Sequence, residues 1–272
     1  MSTHNNWLTT NIADRLTVKN TDFRCRLSLY PFERMDFHDA CSMTAKLIAA
    51  KHPKLYLSLS NGIDSEYVLK CFLRNGIDIT PVIVLPREQI TAFDITLAMC
   101  DDLGIKPVIM PVTHMDVIKR FYQSIVKPVY GYGINSTYNL FAADYARAHS
   151  GFLVTGDHLL GDDADTVQMI EAAEWDFYLD VSHGFNSYSP FFTYTIETIY
   201  AMTYEMDATT SDDFRHRLYG LDFRPKFKYI YDCKYDEVFS KIRKSRLVTP
   251  NSVHSLGDRN EFLTLLKQWR TA

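Results

Sequence analysis

The run Ser58-Leu59-Ser60-Asn61-Gly62-Ile63-Asp64-Ser65 concentrates groups suited to holding an anion. Gly62 can take a positive φ and lets backbone amides come close to a ligand. Asn61 is the residue type next most tolerant of the left-handed region. Ser60 and Ser65 carry hydroxyl donors. A helix beginning at this turn would add free amides and a partial positive charge, both of which favour phosphate. Asp64 would repel a bare phosphate, so its presence asks for a bridging cation. Mg²⁺ binds one or two carboxylates together with phosphate oxygens in this way. Ser, Asn, Gly and Asp are also the commonest residues of an ordinary strand-to-helix turn. It is their order and their setting that favour the anion site.

A second cluster follows the stretch Phe152 to Thr155. It reads Gly156-Asp157-His158-Leu159-Leu160-Gly161-Asp162-Asp163-Ala164-Asp165, four carboxylates within nine residues beside two glycines. One reading is a second magnesium shell facing Asp64, with Asp157 and Asp163 as ligands. The other is capping of a helix by Asp162 or Asp163 at the surface. His158 is placed to touch a bound molecule or to be a surface histidine. Tyr130-Gly131-Tyr132-Gly133-Ile134-Asn135 reads either as a substrate platform or as a loop stapled by aromatics.

These groups need a scaffold, and the hydropathy pattern supplies one. A helix is expected over 37–51, stopped by Pro53, and then a short apolar strand over 54–59. Strands buried on both faces of a parallel sheet read this way. A helix over 65–74 ends at Asn75-Gly76, with Val68, Leu69, Phe72 and Leu73 on one face. Strand 80–85, helix 91–103, strand 107–112, helix 114–126, helix 137–149 and strand 152–155 continue the alternation. That is the spacing of βαβ units, which implies an α/β fold: a twisted parallel sheet with helices on both faces. Three regions are expected: an N-terminal extension over 1–35 with one or two strands, a nucleotide-binding core over 36–170, and a mostly helical region over 171–272 covering the carboxyl edge of the sheet. In the last region, helices are expected over 190–206, 213–219, 236–246 and 259–270, and an extended segment over 174–181. In open parallel sheets ligands bind outside the carboxyl ends of the strands, where both polar clusters fall.

Ser60-Asn61-Gly62-Ile63-Asp64-Ser65 resembles the PP-loop signature S-G-G-x-D-S of the ATP pyrophosphatase superfamily, with Asn61 at the first glycine. The resemblance is strong over 54–76 and looser across 36–165. The superfamily includes asparagine, NAD and GMP synthetases and tRNA-modifying enzymes, and the chain also looks like stand-alone members from tailed bacteriophages. The resemblance implies a Rossmann-like, HUP-type fold, ATP and Mg²⁺ as cofactors, and cleavage of ATP to AMP and pyrophosphate. An oxygen of a carbonyl, carboxylate or amide is adenylated and then attacked by a nucleophile. By that likeness Ser58, Ser60, Asn61, Gly62, Ile63, Asp64 and Ser65 would cradle the pyrophosphate end, and Asp64 would also hold Mg²⁺. Adenine would lie along main chain near Leu57 and Val82 to Leu85, including Val84, with Gly156 and His158 completing the nucleotide contacts. Related families carry an acidic loop where Asp157 and Asp163 fall, and phage-type relatives share an R-P-K element. Here that element is Arg224-Pro225-Lys226. Its cations are expected to meet the departing pyrophosphate, where fixed positive charge stabilises the transition state.

Bulk composition sets the outer bounds. The 272 residues are 46% hydrophobic and 14% aromatic, enough for a buried core, and the 23% charged fraction argues against extended disorder. Net charge is −4, and the densest basic stretch is Lys241 to Arg246, so charge does not argue for long nucleic acid. None of the cysteines, Cys25, Cys41, Cys71, Cys100 and Cys233, forms a C-x-x-C pair. Buried reduced thiols in a cytoplasmic protein are expected, in the host cytoplasm if the source is viral. No targeting segment or membrane span is read from the sequence. The expected partners are a small-molecule, nucleobase or tRNA acceptor, an amine or ammonia donor, and a second copy in a homodimer. Two other readings stay open: a non-catalytic nucleotide-binding or interaction protein with a degenerate loop, and a relative of phosphoadenylyl-sulfate reductases, for which Cys233 is the late cysteine.

Overall fold

The computed structural model describes residues 8–10, 25–27, 34–124, 137–157, 166–168, 188–205, 211–222 and 255–258. Two short strands, β1 (Leu8–Thr10) and β2 (Cys25–Leu27), pair antiparallel in the N-terminal segment. Asp36 caps α1 (Phe37–Lys51), its carboxylate accepting the His38 amide at 2.8 Å. The apolar run beyond Pro53 becomes β3 (Leu55–Ser58), and α2 (Ile63–Arg74) follows it. Next come β4 (Thr80–Pro86), a 3-10 turn over Arg87–Phe93, α3 (Asp94–Asp102), β5 (Val108–Val112) and α4 (His114–Ser124). Helix α5 (Thr137–Ala148) leads into β6 (Phe152–Thr155). The later described elements are β7 (Thr166–Gln168), β8 (Tyr188–Pro190), α6 (Ile196–Glu205), α7 (Ser211–Tyr219) and β9 (Ser255–Asp258), with β7 and β9 paired antiparallel.

The main sheet has five parallel strands in the order β5-β4-β3-β6-β8. Its central strand alternates sides, as the pleat requires. Leu55, Leu57 and Leu59 enter one apolar cluster with α1, α2, α6 and α7, while Tyr56 enters the other with α4 and α5. The parallel α/β architecture expected from the sequence is therefore present, with helices on both faces. Arg120 of α4 grips Asp144 of α5 through Nε at 3.1 Å and Nη2 at 2.8 Å, fixing the helix that later supplies Asn139. On the opposite face a hydroxyl triad joins α1 to the start of α6. Thr44 Oγ1 lies 2.6 Å from Thr195 Oγ1 and 2.8 Å from Thr198 Oγ1.

Two expectations need correction. The aromatic stretch from 190 to 206 is not one helix. Tyr188–Pro190 pairs with β6 as an edge strand, and the helix starts at Ile196. Pro190, without an amide hydrogen, suits a strand edge. The sheet thus takes its fifth strand from beyond residue 170. The helix expected from residue 91 begins at Asp94, after a 3-10 turn. The segments expected over 174–181, 236–246 and 259–270 lie outside the described residues.

Cys41, Cys71 and Cys100 are buried and free. Burial, ahead of the Arg74 charge that opposes it, pushes the Cys71 thiol up to about 11, so it stays protonated at neutral pH. Cys25 and Cys233 lie outside the residues whose side chains are described. No helix among the described residues is long and apolar enough to cross a membrane.

Candidate functional site

Strand order reverses between β3 and β6. From β3 the chain moves outward to β4 and β5, then returns to place β6 on the other side of β3. Crevices at such reversals are where open α/β sheets bind ligands. A cavity of about 220 Å³ opens there, lined by the β3 end (Ser58, Leu59, Ser60), the start of α2 (Asp64, Ser65), Val84, the start of α5 (Tyr138, Asn139) and the β6 end (Thr155, Gly156, Asp157).

The loop between β3 and α2 is built around one hydroxyl. Ser65 Oγ accepts the Ser60 amide at 3.2 Å, sits 3.0 Å from Ser60 Oγ, and lies 3.1 Å from the Gly62 carbonyl. The Gly62 amide donates to Ser60 Oγ at 3.2 Å. These short-range bonds turn the chain without any left-handed residue. Gly62 sits at φ −96° and ψ 151° as the residue preceding α2, so the loop does not use the positive φ that glycine allows. Asn61 likewise keeps a negative φ. Its side chain leaves the cavity altogether: Nδ2 donates to the Ala92 carbonyl at 2.8 Å, and Oδ1 accepts from Thr96 Oγ1 at 2.6 Å. Asn61 thus ties the loop to the 3-10 turn and α3. Replacing it with the signature's glycine, Asn61→Gly, is expected to lower unfolding free energy by about 2 kcal/mol through two lost hydrogen bonds and added chain entropy. Nucleotide affinity should stay near that of the parent protein. Urea unfolding and an ATP titration check the pair of expectations, and a large gain in affinity would show that Asn61 obstructs the site.

Of the residues named from the sequence, Ser58, Ser60, Asp64, Ser65, Val84, Gly156 and Asp157 meet at this cavity. Asn61, Gly62 and Ile63 do not line it, and Ile63 packs into the apolar cluster. His158, Asp163, Arg224, Lys226 and the Tyr130–Asn135 segment lie outside the described residues.

Gly156 sets the distance between the two walls. A Cβ at this position would lie 2.6 Å from the Ser65 amide nitrogen and 2.9 Å from the Asp64 carbonyl carbon. Glycine therefore lets the end of β6 press directly on the first turn of α2.

The two cavity carboxylates have different surroundings. Asp157 Oδ2 accepts Thr155 Oγ1 at 2.6 Å and lies 3.5 Å from Asn139 Nδ2, while Asn139 Oδ1 accepts Ser58 Oγ at 2.6 Å. Asp64 is held from the C-terminal part of the chain. Its Oδ2 is 2.7 Å from Arg215 Nη1, and its Oδ1 accepts the Tyr219 hydroxyl at 2.8 Å. Burial, and next the Asp64 charge, push the Tyr219 phenol well above its usual value, so it remains a donor.

Tyr138, Asn139, Thr155, Arg215 and Tyr219 were missed in reading the sequence. A local signal existed for Thr155, beside Gly156, and for Asn139, in the first turn of a helix aimed at the same edge. Arg215 and Tyr219 are four apart on one helix and so share a face, but nothing in their spacing names Asp64 as the target.

Among the described residues there is no group of three or more His, Cys, Asp or Glu side chains placed to hold a metal. Magnesium needs fewer: one or two carboxylates suffice when phosphate and water complete the octahedron. Asp157 and Asp64 on one cavity, with hydroxyl and amide oxygens beside them, fit that donor set.

No family model matches the chain, and no curated protein matches it. Among solved structures it is similar to the NH3-dependent NAD synthetase of Campylobacter jejuni subsp. jejuni NCTC 11168, in complex with the nitrate ion. Identity is 13% and the TM-score 0.37, over 87% of this chain and 94% of that one. It is also similar to NMN synthetase from Francisella tularensis, at 14% identity and TM-score 0.38, over 79% and 98%. Likeness at this level says nothing about which residues act.

Proposed function

We propose that this chain is an ATP-dependent, AMP-forming enzyme that adenylates a carboxylate or carbonyl oxygen and passes the activated group to an amine or ammonia. One observation carries the reading. Ser60, Asp64 and Ser65, from the two ends of the anion-suited loop, and Asp157, beyond the end of β6, line a single cavity at the reversal of strand order. The likeness of that loop to the PP-loop signature supports the same conclusion.

In this reading the β3–α2 loop and the N-terminal amides of α2 receive the phosphate oxygens. Asp157, with Asp64, would hold Mg²⁺, which would supply positive charge against the departing pyrophosphate. Thr155 and Asn139 orient the Asp157 carboxylate, and Ser58 orients the Asn139 amide. The acceptor oxygen attacks the α-phosphorus, and the bond from that phosphorus to the bridging oxygen of the β-phosphate breaks. Pyrophosphate leaves with the electron pair. The amine nitrogen then attacks the acyl carbon, the bond to AMP breaks, and the surplus amine proton passes to solvent. Arg224 and Lys226 are proposed to meet the pyrophosphate, and Asp163 to add to the metal shell. The acceptor is a small molecule, a nucleobase or a tRNA.

A second reading, nucleotide binding without turnover, is favoured by one feature: both Asp64 oxygens already have partners within the chain. The purified chain, ATP labelled at the α-phosphate and Mg²⁺, tried with candidate acceptors and ammonia, separate the two. Acceptor-dependent AMP and pyrophosphate are the expected products. ADP as the product, or binding with no turnover, would overturn the ligase reading.

A further inference from the structure

The Asp64 clasp deepens the proposed function and rests on it. Helix α7 ends in a tightly defined way. Gly220 lies at φ +63°, its amide reaches the Arg217 carbonyl at 3.2 Å, and the Leu221 amide reaches the His216 carbonyl at 3.0 Å. This is the paired bonding of a Schellman motif, which fixes the last turn of the helix. Tyr219 is the final residue of that turn. Its ring stacks on Tyr67 at 4.5 Å between centroids, with Phe192 at 5.6 Å and Phe37 at 6.0 Å. Helices α1 and α2 and the segment between β8 and α6 thus fix the ring and aim its hydroxyl at Asp64. Arg215, one turn earlier, is 5% exposed and meets the other carboxylate oxygen. Neither residue is among those lining the cavity, so both reach Asp64 from outside it.

We propose that Arg215 and Tyr219 are positioning residues that hold the Asp64 carboxylate in the orientation the magnesium–nucleotide complex requires, making occupancy of the site depend on α7 being seated against α2. The two donors suit the task. A guanidinium does not lose its proton in the working pH range, and two fixed donors on two oxygens leave the carboxylate little rotational freedom. The α7–α2 contact also joins segments separated by more than half the chain, Asp64 and Arg215 being 151 positions apart.

The test uses the full chain, ATP as probe and magnesium titrated at fixed ATP, with binding followed by calorimetry. Tyr219→Phe and Arg215→Lys both keep the net charge, so neither adds nor removes a formal charge near the cavity while each weakens the hold on the carboxylate. Binding must then order a carboxylate that the donors no longer hold, which predicts a rise of about threefold to tenfold in half-saturating magnesium for Tyr219→Phe, with a rise also for Arg215→Lys. Thr198→Val serves as the control. It removes a hydroxyl of the buried triad between α1 and α6, which destabilises the fold without touching Asp64. The control should unfold at a lower temperature yet keep the parent magnesium midpoint.

Unchanged midpoints in Tyr219→Phe and Arg215→Lys would overturn the positioning role while leaving the ATP site standing. A control that reproduces their rise would also overturn it, since general loss of stability would then explain the effect. A parent protein that binds no magnesium–ATP at all would remove the functional reading and this one together.

Discussion

Asp64→Asn is expected to abolish magnesium-dependent pyrophosphate release and, in addition, to lower the unfolding free energy by roughly 2–3 kcal/mol. Both effects follow from the same carboxylate. The first is loss of a negative ligand on the cavity wall, where an amide oxygen is a poor substitute for a carboxylate toward magnesium. The second arises on the other side of the residue. Arg215, with a side chain 7% exposed, would keep its charge and lose the Asp64 carboxylate 2.7 Å away. Removing one partner of a buried pair leaves an uncompensated charge, and that is the costly part. The loss falls below that of a fully buried pair because the Asp64 side chain is 20% exposed and solvent screens it. Pyrophosphate release and urea unfolding on the same preparation measure the two effects. Full activity at the parent magnesium concentration would remove Asp64 from the site, and unchanged stability would mean that Arg215 finds another partner at little cost.

Gly156→Ala should be nearly as damaging, for a steric reason. The added Cβ would sit 2.6 Å from the Ser65 amide nitrogen, a backbone atom at the start of α2 that cannot swing aside. Either the end of β6 or the first turn of α2 has to move. Forced expansion of a packed contact costs about 1–3 kcal/mol, and here the displaced atoms carry Asp64 and Asp157. A displacement on the order of an ångström in positioning groups can cost about a hundredfold in rate. ATP affinity should therefore fall more steeply than thermal stability. A Gly156→Ala protein with parental affinity and melting temperature would show that the two walls can separate freely.

Local chemistry was readable because it depends on near neighbours. The start of α2, the strand before it and the polar run between them all lie within a few residues, and turn preferences act at that range. The alternation of apolar strands with helices implied a parallel sheet for the same reason. Where the reading went wrong, a longer-range partner decided the outcome. The helix expected over 190–206 does not start at Pro190, because hydrogen bonding to β6 makes 188–190 a strand. Gly62 can take a positive φ, yet the turn does not use that freedom, because the hydroxyls of Ser60 and Ser65 close it in ordinary backbone geometry. Asn61 looked like a departure within the loop, and its role emerged only with Ala92 and Thr96 in place.

The amino-acid order by itself determined that an anion-suited turn and an acidic turn each follow a strand, because those signals are encoded in contiguous residues. Only the tertiary structure decided that Ser60, Asp64 and Ser65 share one cavity with Gly156 and Asp157, since strand order is set by sheet packing rather than by chain order. It also decided that Asp64 is clasped by Arg215 and Tyr219. Side chains so far apart in the chain meet only after the helices pack, and no spacing rule connects them.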